Sequence, residues 1–321
     1  MNTVTFFTPV QDQIRLVEAR MRAVSNGHNP ELKAALEHLL SSGGKRVRPV
    51  VALLTGGMLG ADPARLITLA AAIELLHTAT LVHDDLIDGS LLRRGIPTLN
   101  SQWTPAATVL TGDFIFARAA MLAAETDSVE VMRLFSGTLS TIVNGEITQM
   151  FNRDSRSFRD DYFHRIYAKT ASMFELATSA AAVLSPPCEE VYDSVRRYGY
   201  EIGMAFQIID DVLDFTGQQT EVGKPVARDL QQGLITLPTI YYFESHPDNA
   251  DLQPVLDGYI YDENRLARLT TAIRQSDAID KSVEEAGGFI GRALELLEDL
   301  PATEERQALE DLAEFIVRRQ K

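Results

Sequence analysis

The chain has 321 residues, 45 of them acidic and 30 basic, which gives a formal net charge of −15. Apolar residues make up 45% of the sequence, enough for a buried core, so intrinsic disorder is excluded as the main state. The negative balance argues against a nucleic-acid binder with a broad basic face, and taken alone it also argues against anionic substrates. The one cysteine, Cys188, excludes an intramolecular disulfide and a cysteine-based metal cluster.

Helical patterns dominate the whole chain. Apolar residues recur at spacings of three and four, as at Leu32, Leu36 and Leu39, and the period-two alternation typical of strands is nearly absent. Glycine and proline breakers divide the sequence into about ten to twelve helices. We predict an all-α protein with a single domain over residues 1–321, of which 1–29 form an N-terminal helical extension. Without a signal-peptide pattern or about 18 uninterrupted apolar residues, a cytoplasmic protein with no integral membrane segment is expected.

A glycine-led basic turn is the first candidate site in chain order. The segment Gly43–Pro49 carries three cations, Lys45, Arg46 and Arg48, and its proline suits the first turn of a helix. Free backbone N–H groups at such a helix start favour a bound anion. A basic cluster is also common as solubilising surface, so this turn alone does not decide its function.

A D-D-x-x-D pattern occurs twice, at residues 84–88 and 210–214, each time after a long apolar helix. On a helix the first and last aspartates of the pattern share one face, one turn apart. Clustered like charges repel each other, and burial among apolar residues raises the cost. Mg²⁺ relieves such repulsion and typically joins one or two carboxylates to substrate phosphates. An exposed acidic patch explains one copy more easily than two. The predicted metal ligands are Asp84, Asp85, Asp88, Asp210, Asp211 and Asp214.

Further polar residues lie close to the first aspartate pattern. His77 precedes Asp84 by seven residues and falls within about 20° of the same helical stripe. This position favours a ligand-binding residue, the alternative being a packed core histidine. Arg93 and Arg94 follow the pattern, and arginine forks bind phosphate oxygens bidentately. Basic and metal-binding groups side by side predict a diphosphate site.

An ordered series of motifs resembles the trans-isoprenyl diphosphate synthases of the polyprenyl synthetase family, from about residue 30 onward. The matching segments are GGKRVRP (43–49), HTATLVHDDLID (77–88), RRG (93–95), GD (112–113), GEITQ (145–149), KT (169–170), FQIIDDVLDF (206–215), GKP (223–225) and residues 229–238.

The resemblance implies a large all-α helical bundle around a deep central cavity, of the isoprenoid synthase type, and a homodimer. It implies a prenyltransferase that uses Mg²⁺, about three ions per site, to condense isopentenyl diphosphate head-to-tail with an allylic diphosphate. Under this resemblance Lys169, Thr170, Gln207 and Lys224 are catalytic, Lys45, Arg48, His77, Arg93 and Arg94 bind substrate, and the six aspartates hold metal. Glu146 and Gln149 are either partners of these groups or a buried polar pair.

Small residues just before the first aspartate pattern predict a long product. Ala79 and Thr80 precede Asp84 by five and four positions, where an aromatic closes such a cavity about one helical turn, roughly 5–8 Å, below the site. A facing helix is predicted from Val129 to Phe151. On it Phe135 precedes Glu146 by eleven residues and so lies about 16 Å deeper than Glu146, which makes Phe135 the candidate floor of the cavity. Its alternative role is ordinary core packing. We expect an all-trans polyprenyl product longer than about C20, in the range of about C30 to C50.

Other interpretations stay open. The product is alternatively a shorter geranylgeranyl or farnesyl diphosphate, or the chain is a non-catalytic subunit of a heteromeric synthase, which predicts degraded aspartate patterns although both are intact. A terpene cyclase is disfavoured because such enzymes usually carry a different second metal motif. The basic end Arg318-Arg319-Gln320-Lys321 either closes over a diphosphate or is solvated, and we expect solvation.

Overall fold

The computed structural model describes residues 5–41, 43–151, 158–186, 189–217, 227–256 and 262–319. Over these ranges the chain is almost entirely helical, which confirms the all-α class. Some residues named above lie outside the described ones: Cys188, the GKP motif with the predicted catalytic Lys224, and the terminal Gln320 and Lys321.

A short 3₁₀ helix, Thr5–Val10, precedes the α-helices. The helices are α1 (Gln11–Ala23), α2 (Pro30–Ser41), α3 (Val47–Met58), α4 (Pro63–Ile87), α5 (Leu99–Gln102), α6 (Pro105–Ala124), α7 (Val129–Phe151), α8 (Phe158–Ile166), α9 (Ser172–Val183), α10 (Glu189–Thr216), α11 (Arg228–Gln231), α12 (Leu237–Ser245), α13 (Leu252–Leu256), α14 (Glu263–Gln275), α15 (Ala278–Glu295) and α16 (Glu304–Arg318). A π-helical turn, Tyr167–Ala171, connects α8 directly to α9. The predicted helix from Val129 to Phe151 is confirmed as α7.

The residues divide into two compact units that interleave along the sequence. The first comprises Met1–Leu139, Met173–Arg196 and Asp299–Asp311, and the second comprises Ser140–Ser172, Arg197–Glu298 and Leu312–Lys321. The single-domain assignment from the sequence stays a prediction.

Helix α4 is the centre of the first unit, where it packs against α1, α3 and α6. Asp62 caps its start by accepting a hydrogen bond from the backbone N–H of Arg65 at 2.9 Å, and Pro63 occupies the first turn. The run from Leu69 to Leu76 is buried throughout. At Gly112 of α6 an added Cβ would lie only 2.2 Å from Nε2 of His83 on α4, so the glycine permits this close helix packing. The result is a firmly held helix that ends at the first aspartate pattern.

Among the residues that the structure describes, two helices, α4 and α6, are long and apolar enough to cross a membrane by length and composition alone. The apolar window of α4 is 67% buried inside the protein, as expected for a core helix, whereas that of α6 is 39% buried. Neither the length nor the apolar composition of these helices requires a membrane, because core helices of globular proteins share both. The exposed side of α6 nevertheless calls for a physical explanation.

In the second unit, helix α12 packs against α15 and α8. A cluster of buried side chains that includes Phe215, Tyr242, Leu269 and Ile273 fills its interior. Gly203 of α10 faces the π-helical turn, where an added Cβ would lie 2.6 Å from the Cα of Ala171. Because a backbone atom cannot move aside, only glycine permits this approach, and it fixes the π-helical turn against α10.

One β-hairpin follows the first aspartate pattern and was not predicted. Leu92–Arg93 pairs antiparallel with Ile96–Pro97, and the two turn residues, Arg94 and Gly95, have φ angles of 53° and 78°. Positive φ at both positions is the type I′ turn, which matches the twist of the flanking strands and usually carries Asn-Gly. Here Arg94 stands where asparagine is usual, so the Asn-Gly pattern that predicts a hairpin is absent from this turn.

Candidate active site

The first aspartate pattern lies at the C-terminal end of α4, and its three carboxylates have different environments. Asp88 is exposed and ends the helix, and Asp84 is partly exposed. Asp85 is only 6% exposed. Its two oxygens accept hydrogen bonds from Nε of Arg93 at 3.0 and 2.9 Å, and Nη2 of the same arginine lies 2.8 Å from Oδ1. The hairpin therefore supplies the counter-charge for the buried middle carboxylate.

The second aspartate pattern on α10 repeats this arrangement with other partners. Asp211, the second position, is 4% exposed and accepts hydrogen bonds from the Tyr162 hydroxyl at 2.8 Å and from Nε2 of Gln207 at 2.7 Å. Burial, and next the negative charge of Asp229, raise the pKa of Asp211 to about 7. Asp210 and Asp214, the first and last positions, are partly exposed.

These environments refine the prediction that all six aspartates bind metal. Asp85 and Asp211 are held by protein donors, because adjacent residues lie about 100° apart on a helix and the second position turns toward the packed side. Among the described residues no three His, Cys, Asp or Glu side chains converge into a preformed metal centre. The first and last aspartates still offer oxygen-only donors one turn apart, which fits Mg²⁺, an ion that keeps waters and completes its shell with substrate phosphates. All six aspartates stay predicted ligands, and Asp84, Asp88, Asp210 and Asp214 are the more exposed of them.

The basic turn begins α3 as predicted, and its central arginine is an internal anchor. Arg46 has a left-handed φ of 47°, and its guanidinium donates to Glu74 at 2.8 Å and to Glu18 at 3.2 Å. Glu74 is buried in the middle of α4, so this pair fixes the turn to the central helix. Lys45 is exposed. No role for Glu74 was predicted, because its only signal in the sequence is a charge inside an apolar run.

His77 lies against Arg48, as the substrate-site prediction requires. Nη1 of Arg48 is 3.2 Å from Nε2 of His77, and the guanidinium lies 5.1 Å above the ring of Phe174. Burial first, and then the positive charge of Arg48, hold the pKa of His77 well below its usual value of 6.5. The imidazole is therefore neutral at neutral pH and accepts the arginine N–H.

The third arginine of the predicted substrate site occupies the hairpin turn. Arg94 donates through Nη1 to the carbonyl oxygen of Gly43, so it joins the hairpin to the glycine-led turn. Burial, and next the charge of Arg93, lower its pKa from the ordinary arginine value. Lys45, Arg48, His77, Arg93 and Arg94, predicted together from separate motifs, all lie in the first unit.

Lys169 and Thr170 lie in the π-helical turn, a feature that is rare and often occurs at functional sites. Nζ of Lys169 is 2.7 Å from Oε1 of Glu146, which resolves Glu146 as a partner of a predicted catalytic residue. The Thr170 hydroxyl donates to Oε1 of Gln207 at 2.7 Å. Since Gln207 in turn donates to Asp211, a continuous hydrogen-bond chain joins the π-helical turn to the second aspartate pattern.

Two residues of this region were missed by the sequence. Tyr162 is fully buried and supplies the hydroxyl bound to Asp211, yet no motif marks it. Asp229 lies in a segment that matched the family pattern without an assigned role. Its backbone N–H donates to Oδ2 of Asp214 at 3.1 Å, and burial followed by the charge of Asp214 raises its pKa to about 6.

The residues predicted to control product length all belong to the first unit. Ala79 is fully buried, and the Thr80 hydroxyl donates to the backbone carbonyl of His77 at 2.8 Å. Phe135 is 2% exposed and meets Phe116 of α6 edge-on, with ring centroids 6.3 Å apart. Two aromatic rings thus pack where the sequence suggested one.

Comparisons with known proteins agree with this geometry. The polyprenyl synthetase family model matches residues 29–273. A prenyl transferase of Synechocystis sp. is 36% identical over 99% of both chains, and component 2 of heptaprenyl diphosphate synthase from Geobacillus stearothermophilus is 36% identical with the same coverage. The crystal structure of a polyprenyl synthase from Caulobacter crescentus, complexed with calcium and isoprenyl diphosphate, superimposes with a TM-score of 0.92 at 34% identity, covering 99% of this chain and 98% of the other.

These matches define the chain as an all-α prenyltransferase with the isoprenoid synthase fold. It belongs to the polyprenyl synthetase family, as its motifs predicted.

The lowered pKa of His77 predicts a pH-dependent contribution to stability. The unfolded chain binds a proton at this histidine below about pH 6.5, whereas the folded protein resists protonation, so acidification favours unfolding. Between pH 7.5 and 5.5 the free energy of unfolding of the wild type should fall by about 1 kcal/mol more than that of His77→Gln. Urea denaturation at both pH values measures the difference. Equal losses in the two proteins would contradict the neutral histidine. Asp211 and Asp229, whose raised pKa values change stability in the opposite direction on acidification, are present in both proteins, so their effect cancels in the comparison.

Proposed function

We propose that this prenyltransferase uses Mg²⁺ to condense isopentenyl diphosphate head-to-tail with an allylic diphosphate. The observation that carries the proposal is the repeated D-D-x-x-D helix, in which the second aspartate is buried against protein donors and the first and last are the more exposed carboxylates, oxygen donors of the type that Mg²⁺ takes. Two intact patterns favour an active enzyme over a non-catalytic subunit. The calcium and isoprenyl diphosphate bound by the Caulobacter crescentus relative support a divalent ion and an isoprenyl diphosphate as the species bound here.

In the proposed reaction Asp84 and Asp88 of the first pattern and Asp210 and Asp214 of the second would hold Mg²⁺, about three ions in all, and the ions would supply the charge that makes the allylic diphosphate a better leaving group. Lys169 stabilises the departing diphosphate by its positive charge. The carbon–oxygen bond of the allylic diphosphate breaks to give an allylic carbocation and diphosphate. The double bond of isopentenyl diphosphate attacks the carbocation to form the new carbon–carbon bond, and the released diphosphate removes a proton from the resulting cation, which restores a double bond.

The remaining predicted residues position the reactants. Lys45, Arg48, His77 and Arg94 bind isopentenyl diphosphate, and the neutral His77 keeps the Arg48 guanidinium oriented by accepting its hydrogen bond. Thr170 and Gln207 are oriented by their shared hydrogen-bond chain, which ends on the buried carboxylate of Asp211. Arg93 neutralises Asp85, and Lys224 is assigned to the departing diphosphate by its motif alone.

We propose that the product is an all-trans polyprenyl diphosphate longer than C20. Ala79 and Thr80 are small at the positions where an aromatic side chain would close the path of the growing chain, and the Geobacillus stearothermophilus relative is named for a heptaprenyl product. A shorter product is the alternative.

The reaction is tested by incubation with radiolabelled isopentenyl diphosphate, a series of allylic primers and Mg²⁺. Extension should require Mg²⁺, and Asp88→Asn or Asp210→Asn should lower kcat by about 10²- to 10³-fold, because each removes a charged metal ligand. Glu130→Gln, which changes an exposed carboxylate of α7 far in sequence from either pattern, should stay within about twofold of the wild type. No Mg²⁺-dependent extension with any primer would exclude the proposed reaction.

Product length is tested by Ala79→Phe. An aromatic side chain at this buried position should close the path of the growing chain about one helical turn below the first aspartate pattern and shorten the product. Ala79→Leu should have a smaller effect, and Phe135→Ala should lengthen the product if the Phe116–Phe135 pair is the floor. Thin-layer sizing of the products measures each change. Unchanged chain length in a folded Ala79→Phe protein would contradict the proposal.

We also propose a cytoplasmic homodimer that covers the exposed face of α6. Leu110 and Met121 are 67% and 49% exposed, and eleven residues apart they share one helical face, which is unusual for apolar side chains of this size. Light scattering should give twice the chain mass of 35.5 kDa. The double variant Leu110→Glu, Met121→Glu should be monomeric, while Leu16→Glu on α1 should not change the mass. A monomeric wild type that assembles only with a different protein would contradict the homodimer.

A further inference from the structure

Arg319 is buried although the sequence predicted a solvated basic end. Its side chain is 6% exposed, whereas that of the adjacent Arg318 is 74% exposed and pairs with Glu314. The solvation prediction is thus right for Arg318 and wrong for Arg319, and Gln320 and Lys321 lie outside the described residues. Only one of the two neighbouring arginines has been drawn into the protein.

The partner of Arg319 is the first aspartate of the second pattern. Nη1 of Arg319 lies 3.0 Å from Oδ1 of Asp210. The guanidinium stacks 4.1 Å above the ring of Phe206, and its Nη2 donates to the carbonyl oxygen of the same residue at 3.3 Å. Phe206 precedes Asp210 by four residues and therefore shares its face of α10. Ring, carbonyl and carboxylate together hold the arginine in one place.

This arrangement gives one carboxylate two competing cations. A carboxylate oxygen that accepts a charge-assisted hydrogen bond from arginine has its charge partly neutralised, and a divalent ion binding there must displace the guanidinium or share the oxygen with it. The desolvated, stacked guanidinium is costly to move. Only molecules in which the Arg319–Asp210 pair is broken bind the ion at full strength, so the apparent affinity for the ion falls as the paired fraction rises.

We propose that Arg319 acts through Asp210 as a positioning residue that competes with the divalent ion and so sets the metal concentration at which the second pattern is filled. This inference rests on the proposed metal role of Asp210. Arg319, which directly follows α16, would thus act in metal binding rather than as a solubilising surface charge.

The test is direct metal binding, without turnover. Mn²⁺ binding to the full chain is followed by electron paramagnetic resonance in the presence of inorganic diphosphate, and the half-saturating Mg²⁺ concentration for prenyl transfer is a second readout. If the pair is formed in most molecules, Arg319→Gln should bind Mn²⁺ about five- to tenfold more tightly than the wild type. Arg318→Gln removes the same charge one residue away and should leave the affinity within about twofold.

Each other outcome has a defined meaning. Unchanged or weaker Mn²⁺ binding by Arg319→Gln overturns the competition, and weaker binding would make Arg319 a support of the ligand instead. Phe206→Leu removes the stacking surface while keeping the arginine, so it should also tighten binding, by a smaller factor, and serves if Arg319→Gln does not fold. If neither the wild type nor Asp210→Asn binds Mn²⁺, the proposed metal role and the inference fail together; if the wild type binds and only the Arg319 effect is missing, the inference alone fails.

Discussion

Repulsion between neighbouring carboxylates is the constraint on which the site depends. Each D-D-x-x-D pattern places three aspartates within five residues, and the protein relieves the crowding by giving the second one its own partners. Arg93 neutralises Asp85, and Tyr162 with Gln207 binds Asp211. The first and last carboxylates are more exposed and lie one helical turn apart, a spacing that a single bridging ion suits. Because the second carboxylate is buried against its own partners, the first and last are the ones most accessible to an ion.

This local balance resolves the conflict between a net charge of −15 and a family that handles diphosphates. Net charge describes the whole surface, whereas binding depends on the field at the site, to which bound ions contribute the largest single charges. Arg48, Arg93 and Arg94 add positive charge next to the first pattern, and their combined field helps to keep His77 neutral. An acidic chain can therefore present a cationic site.

The sequence predicted much of this organisation and missed the rest for identifiable reasons. Helix patterns and breakers predicted the all-α fold, and motif spacing predicted which residues of the first unit lie together. Tyr162 and Glu74 were missed because a buried partner on another helix leaves no local pattern, and the hairpin was missed because arginine occupies a turn position that usually carries asparagine. Arg319 was misassigned because a terminal basic run is usually solvated, and only the tertiary structure places the ring of Phe206 beneath it.

The π-helical turn has a consequence for helix phase. Tyr162 and Thr170 are eight residues apart, which in an unbroken α-helix would turn their side chains about 80° away from each other. A π turn holds one residue more than an α turn, so the effective spacing is seven and the mismatch falls to about 20°. Both side chains can therefore reach α10, where they bind Asp211 and Gln207. The one extra residue of the π turn thus rotates Thr170 toward the same side as Tyr162, so that one continuous helical segment contacts α10 at two positions.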